Sequence, residues 1–247
     1  MVSRAIKSIM GVMEHINIRS SQIGVEKKEN CKLTTLQVVN LLMLFTFFVV
    51  KNASRYSNST LSKLFNCDKD MFYRFMNDGN VKWRKLLYAM NLQLTKKISS
   101  STTVHHDKPA CLIIDDTDAP KTGMKTELIG SIWSHVHQKS ILGYKCLTMR
   151  LSEGVSQLFL DFSLHGEEGK DKQKVQGLTD KQRKARYTES HEGQAVKERV
   201  DEYLMKKTDK AIDMVKYAIK RDDRFDYLLV NSWFTNTMLV RHLLLEK

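Results

Sequence analysis

Cys111-Leu112-Ile113-Ile114-Asp115-Asp116-Thr117-Asp118 runs four apolar residues straight into three carboxylates within four positions. The run is short and continuous and holds adjacent isoleucines, which fits a buried strand better than a helix. Carboxylates at the end of such a strand put negative charge at the rim of a sheet. There it must be solvated, paired or bound to a metal. Sites of open α/β sheets lie at that rim, beyond the carboxyl ends of the strands. The stretch alone leaves two readings: a carboxylate-held divalent cation, or an acidic turn after a strand.

Downstream, the pattern stays mixed. Lys145 to Ser152 alternates Cys146, Thr148 and Arg150 against Leu147, Met149 and Leu151. Gln157 to Leu164 sets Leu158, Leu160, Phe162 and Leu164 on one side, and Glu153-Gly154 joins the two as a hairpin. Ala195 to Arg221 reads as one long helix, with Val196, Val200, Tyr203, Leu204, Ala211, Ile212, Val215 and Ile219 in a stripe of period 3.6. Asp226 to Val230 is a second buried strand ending in Asn231-Ser232-Trp233-Phe234, and a final helix is predicted from Thr235 to Leu245. A first strand, two antiparallel neighbours and a fourth strand returning through a helix fit an RNase H-like sheet. In that order the first and fourth strands are neighbours, and Asp115 and Asn231 share one rim.

Upstream, Leu33 to Val50 predicts a core helix. Its most apolar part, Val38 to Val50, has 13 residues, too few for a bilayer, which needs roughly 20. It lies too far from the N-terminus to be a signal peptide. Ser59 or Thr60 caps a short helix through Phe65, and Asp68 caps another that sets Phe72, Phe75 and Met76 on one face. Two short helices across a tight turn are either a helix-turn-helix or an ordinary helical hairpin. In the first case Lys69, Tyr73 and Arg74 are the groove or phosphate contacts. Trp83 to Ile98 predicts a further helix. Ser99 to Pro109, with Ser-Ser-Ser-Thr-Thr before His105-His106-Asp107-Lys108-Pro109, reads as a linker. The domains expected are thus 1–104, helical, and 105–247.

The chain has 247 residues, 40 Lys and Arg against 28 Asp and Glu, and a formal net charge of +12. That balance points to polyanions, above all nucleic acid, rather than to a membrane. Residues 166–194 form a polar, basic insertion that includes Lys181, Arg183, Lys184 and Arg186. Lys121 and Lys125 either hold phosphates near the acidic run or neutralise it. Trp133, Trp233 and Phe234 offer faces on which a base can stack, although Trp233, which follows a strand end, suits the core equally well. His135 and His137 alternate, and a structural placement suits them better than a metal or proton-transfer role. Cys31, Cys67, Cys111 and Cys146 show no zinc-ligand or disulfide-scaffold spacing, so reduced thiols and a cytoplasmic location are expected.

Leu112-Ile113-Ile114-Asp115-Asp116-Thr117 followed by Lys121-Thr122-Gly123 resembles the first catalytic block of the DDE transposases of bacterial insertion sequences, in the group typified by insertion sequence four. Leu142-Gly143-Tyr144-Lys145 and Asp161-Phe162-Ser163-Leu164-His165 resemble its middle strands. Leu228-Leu229-Val230-Asn231-Ser232-Trp233-Phe234-Thr235 resembles its second catalytic block, and Phe72-Tyr73-Arg74-Phe75-Met76-Asn77 lies in a stretch like its N-terminal helical region. The similarity covers roughly Leu33 to the C-terminus.

The resemblance implies an α/β (mixed α+β) chain with an N-terminal helical, DNA-binding domain before an incomplete RNase H-like mixed sheet with flanking helices. It implies two divalent ions, Mg2+ or Mn2+, held by Asp, Asp and Glu for phosphodiester cleavage and strand transfer. Asp115 then takes the place of the first acid, with Asp116 as support or alternative metal ligand. Its partner would be the inverted-repeat ends of an insertion sequence, near the nucleoid, with a homodimer or a full-length transposase as protein partner.

Two departures matter. Asn231 stands where the family has its second Asp, and Glu246, 15 residues beyond it, is too close to be the third acid. The expectation is a truncated, decaying copy that binds DNA without cutting it. A non-catalytic DNA-binding protein derived from a transposase is the alternative. An unrelated metal nuclease using Asp115, Asp118 and Asp161 or Glu127 is a third reading.

Overall fold

The computed structural model describes residues 11, 16, 18–25, 31–101, 109–122, 128–153, 156–167 and 194–234. The chain divides into two compact units, Met1–Thr102 and Thr103–Lys247.

The first unit is helical. Helix α1 spans Ser20–Ile23 and α2 spans Thr35–Phe47. A reciprocal cap starts α2: Thr34 Oγ1 accepts the Gln37 N–H at 3.2 Å, and Gln37 Oε1 accepts the Thr34 N–H at 2.8 Å. A 3-10 helix over Ala53–Asn58 follows, where the sequence suggested only a polar connection. Its Tyr56 faces inward, fully buried, because Phe45 and Phe72 offer ring contacts at centroid distances of 5.8 and 4.8 Å. The Tyr56 hydroxyl, which has no water to meet there, donates to the Phe65 carbonyl and accepts from Cys67 Sγ.

Helix α3, Thr60–Leu64, is capped by Ser59, whose Oγ accepts the Ser62 N–H. Helix α4, Lys69–Met76, is capped by Asp68, whose carboxylate accepts the Asp70 N–H at 3.0 Å. Phe72 and Phe75 are buried as predicted. Met76 is not: it is 38% exposed. Helix α5 runs Trp83–Ser101. It carries through the first serines of the expected linker, since nothing before Pro109 interrupts a helix.

The second unit is built on a mixed sheet. Strand β1, Ala110–Pro120, is its centre. Strand β3, Lys139–Glu153, pairs antiparallel with the whole of β1, from Ala110↔Glu153 to Pro120↔Gly143. The other edge of β3 is shared end to end by β2, Gly130–Ser134, and β4, Ser156–His165. Strand β5, Tyr227–Val230, pairs parallel with β1 from Cys111↔Tyr227 to Ile114↔Val230. Asp226 fixes that register at one residue: its N–H donates to the Ala110 carbonyl at 2.8 Å, and its carboxylate accepts the Ala110 N–H at 2.7 Å. The order β4-β3-β1-β5, with the last strand parallel to the first, is consistent with an RNase H-like sheet.

Three expectations are corrected. The acidic run does not end β1. It lies inside the strand, because β3 starts at Lys139, earlier than expected, and ladders β1 as far as Pro120. That extension, with β2 beside it, was not legible as strand. Gly143 permits it, since a Cβ there would come 2.4 Å from the Ala119 carbonyl oxygen.

In β4 the inward phase changes. Leu160 is an extra residue between the Arg150↔Phe159 and Met149↔Asp161 pairs. This bulge turns Asp161, Ser163 and His165 inward and leaves Phe162 and Leu164 only partly buried.

The predicted single helix is two, α6 over Gln194–Leu204 and α7 over Lys207–Lys220. At the break, the Met205 carbonyl is within 3.0 Å of His165 Nδ1, which takes it out of the helical ladder.

Helix α7 covers one face of the sheet. Ala211, Ile212, Met214, Val215 and Ala218 pack on Leu112, Ile114, Leu147, Met149 and Leu160, with Phe234 from the short turn after β5. Helix α6 seats Tyr203 against Leu128, Ile129 and Tyr144. Gly166 gives it room, because a Cβ there would fall 2.0 Å from the tyrosine ring. His165, 1% exposed, joins β4 to the helix break. A carbonyl facing Nδ1 requires a proton there, so Nε2 accepts from Ser163 Oγ at 2.7 Å. No helix among the described residues is long and apolar enough to cross a membrane.

Two stability outcomes follow from this packing. Phe72→Ala removes the ring shared by Phe45 and Tyr56, and it should cost about 3–5 kcal/mol in chemical denaturation of the helical unit. Burial pushes the His165 pKa down to about 4, against the opposing pull of the Met205 carbonyl and Glu202. The unfolded chain therefore takes up a proton first as pH falls. Stability present above pH 6.5 should decline between about 6.5 and 4, by up to about 3 kcal/mol. His165→Gln should flatten that slope in denaturation midpoints measured across the same window.

Candidate active site

Successive residues of a strand leave on opposite faces, and this divides the acidic run. Asp116 and Asp118 share the phase of Leu112 and Ile114, toward α7. Asp116 is ion-paired with Lys207, the first residue of α7. Asp118 accepts from Lys145 Nζ at 2.6 Å, and Lys145, 4% exposed, also lies 3.8 Å from Glu167. Burial raises the Asp118 carboxyl pKa, but hydrogen bonds from Lys145 and Ser134 and the charges of Lys145 and His135 outweigh it. The net shift is downward, and the group stays ionised. Lys145 faces Asp118 directly across the β1–β3 ladder.

Asp115 and Thr117 take the other phase. Asp115 is exposed, and its carboxylate accepts the Asp116 N–H at 2.9 Å. Its backbone carbonyl accepts from Thr148 Oγ1 across the ladder, at 3.2 Å. No lysine or arginine pairs with it among the described residues.

The parallel ladder with β5 stops at Ile114↔Val230. One step further along each strand lie Asp115 and Asn231. The rim anticipated from the sequence therefore exists on the β5 side of β1, although β1 itself continues. Asn231 is exposed and folds back on its own turn. Its Oδ1 accepts from Ser232 Oγ at 3.3 Å and from the Trp233 N–H at 3.4 Å. The 3-10 turn Ser232–Phe234 then splits the two aromatics: Phe234 is 3% exposed in the core, and Trp233 is 78% exposed beside the rim.

Asp115 and Asn231 thus lie side by side where the β1–β5 ladder ends, with Trp233 two residues further along the chain. Asp116 is a strand neighbour of Asp115 on the opposite face. Lys121 is exposed just past β1. Lys69, Tyr73 and Arg74 are exposed on α4, in the other unit. Lys125, Lys181, Arg183, Lys184 and Arg186, the Glu127 of the third reading and the predicted helix after Thr235 lie outside the described residues. Asp161 is buried on β4 and accepts the Phe162 N–H at 2.8 Å. Among the described residues, no three His, Cys, Asp or Glu side chains converge as metal ligands.

Sequence reading missed Lys145 and Lys207, the cations that hold Asp118 and Asp116. Lys145 had a signal, since an antiparallel register that pairs Asp118 with residue 145 makes a cross-strand ion pair. Lys207 had none, because its place depends on an unmarked helix break.

No curated protein and no solved structure matches the chain. A family model described as DDE superfamily endonuclease matches residues 54–246. Nucleases of that superfamily act on nucleic acid and generally use divalent metal ions. The match takes in the second half of the helical unit and nearly all of the unit that carries the mixed sheet, with Asp115 and Asn231 both inside it, and on that ground the chain belongs to the DDE superfamily endonucleases.

Proposed function

We propose that this chain is a transposase of a bacterial insertion sequence, of the insertion-sequence-four-like group, that binds the inverted-repeat ends of its element and cleaves them weakly or not at all. The observation that carries the reading is the β1–β5 register. It puts Asp115 beside Asn231, each one step past the last paired residues Ile114 and Val230, which supports reading them as the positions of the family's first two acids.

The donor set limits the chemistry. Two divalent cations bring four positive charges. Among the described residues the rim supplies one carboxylate without a cationic partner, Asp115, and one amide oxygen already engaged by Ser232 and Trp233. An amide in place of a carboxylate removes a full negative charge from a site whose work is electrostatic. The described residues do not fit a two-cation site.

Binding has better support. The net charge is +12. Lys69, Tyr73 and Arg74 stand exposed on α4, the second helix of a capped helix–turn–helix pair. Such a helix can enter a major groove while its cations meet phosphates. Lys121 and Trp233, exposed near the rim, add a cation and a stacking face for the DNA end. Lys125 and the basic stretch from Lys181 to Arg186 belong to the same reading. The protein would work in the cytoplasm, at the nucleoid.

Two outcomes are expected. In a nicking assay with Mn2+ or Mg2+ on duplex carrying the element's inverted repeat, wild type should bind without appreciable cleavage, and Asn231→Asp should raise cleavage by roughly tenfold or more, equivalent to about 1.4 kcal/mol. Robust nicking by wild type that is lost in Asp115→Ala would overturn the catalytic half of the reading. In titrations at several salt concentrations, Lys69→Ala and Arg74→Ala should each reduce the slope of log affinity against log salt by about 0.9. Salt-insensitive binding would overturn the DNA-contact half.

A further inference from the structure

The β2–β3 hairpin extends past the end of β1 and closes in a turn over residues 135–138. Residues 128–152 contain no Asp or Glu, although they carry His135, His137, Lys139, Lys145 and Arg150. Every residue from His135 to Ser140 is exposed, and Val136, at the apex, is 83% exposed. An apolar side chain held that far into solvent contributes nothing to the core.

The turn is nevertheless well ordered from within. The Ser134 side chain, fully buried, accepts the His137 N–H at 3.1 Å, and Gln138 Nε2 donates to the His135 carbonyl at 2.5 Å. Gln138 adopts a left-handed φ of 51° to close it. At the base, the Trp133 N–H donates to Glu167 at 2.5 Å, and Asp118, the nearest carboxylate of β1, is held by Lys145. The acids around the base are therefore already engaged, Asp118 by Lys145 and by the nearby charge of His135, and the tip presents Lys139 and two imidazoles around one apolar side chain.

We infer that this tip, His135 to Lys139, is a DNA contact separate from the α4 face and from the Asp115 rim. Val136 would press against the sugar edge of a duplex while Lys139 and the two imidazoles meet phosphates on either side. The inference rests on the reading of the chain as a DNA-acting protein.

The geometry also gives a reach. Asp115 pairs with Thr148, and the tip begins at Lys139, nine residues earlier on the same strand. At about 3.3 Å per residue this is roughly 30 Å. A duplex rises about 3.4 Å per base pair, so the tip would touch DNA about nine base pairs from the rim. A preformed hairpin contacts DNA at little ordering cost, since its entropy is already lost on folding.

The test uses the full chain and a duplex of about 30 base pairs, longer than that reach. A variant carrying His135→Ala, His137→Ala and Lys139→Ala should bind about tenfold or more weakly, with a salt slope shallower by at least about 0.9. Lys220→Ala, the same charge change at an exposed position on α7, should bind like wild type. In the wild-type protein, which removes any question of folding, duplex should protect Lys139 from acetylation and leave Lys220 reactive. If wild type binds duplex but the tip variant binds equally well and Lys139 stays reactive, the inference is overturned and the proposed function stands. If wild type binds no duplex at any salt concentration, both are overturned.

Discussion

Everything at the candidate site depends on one geometric constraint, the twofold alternation of a strand. Because β1 continues through the acidic run, its three carboxylates are dealt to two faces. The face under α7 is apolar and would not tolerate bare charge, so Asp116 and Asp118 are each met by a lysine from another element. The remaining acid, Asp115, is left on the other face and in water. A turn at the same point in the sequence would have let all three carboxylates gather around one ion. The continuous ladder with β3 rules that grouping out for these three, and the shorter ladder with β5 selects which neighbour Asp115 receives.

Much of this architecture can be read from the sequence, for physical reasons. Strands β1 and β5 are short apolar runs with no competing helical period. The alternation around Leu147, Met149 and Leu151 fixes the inner face of β3. Ser59 and Asp68 announce their helices because an unpaired helix N-terminus needs a side-chain acceptor. The adjacency of Asp115 and Asn231 came from strand order, and the register carries it.

What was not legible depends on contacts distant in sequence. Strand β2 and the first residues of β3 are short, carry glycine, serine and lysine among few apolar residues, and form strands only because they extend an existing ladder. The helix break at Met205 has no glycine or proline. It exists because His165, forty residues away, takes the carbonyl. The exposure of Met76 was equally hidden, since a hydrophobic residue in a periodic pattern is assigned to the core unless the neighbouring surface is known, and for Trp233 the sequence left a stacking face and a core place equally open.

The bulge in β4 has a consequence for how the chain reaches this fold. Leu158, Leu160, Phe162 and Leu164 form an unbroken apolar phase, and a bulge-free strand would bury all four. The sequence thus encodes a second register that is more hydrophobic than the native one. The native register prevails through groups that only it satisfies: Ser163 and His165 bonded to each other and to the helix break. On a folding landscape these polar contacts discriminate between two nearby minima that burial alone would order the other way. A substitution that made position 163 or 165 apolar would remove that discrimination, and the strand would have two ways to pair where it now has one.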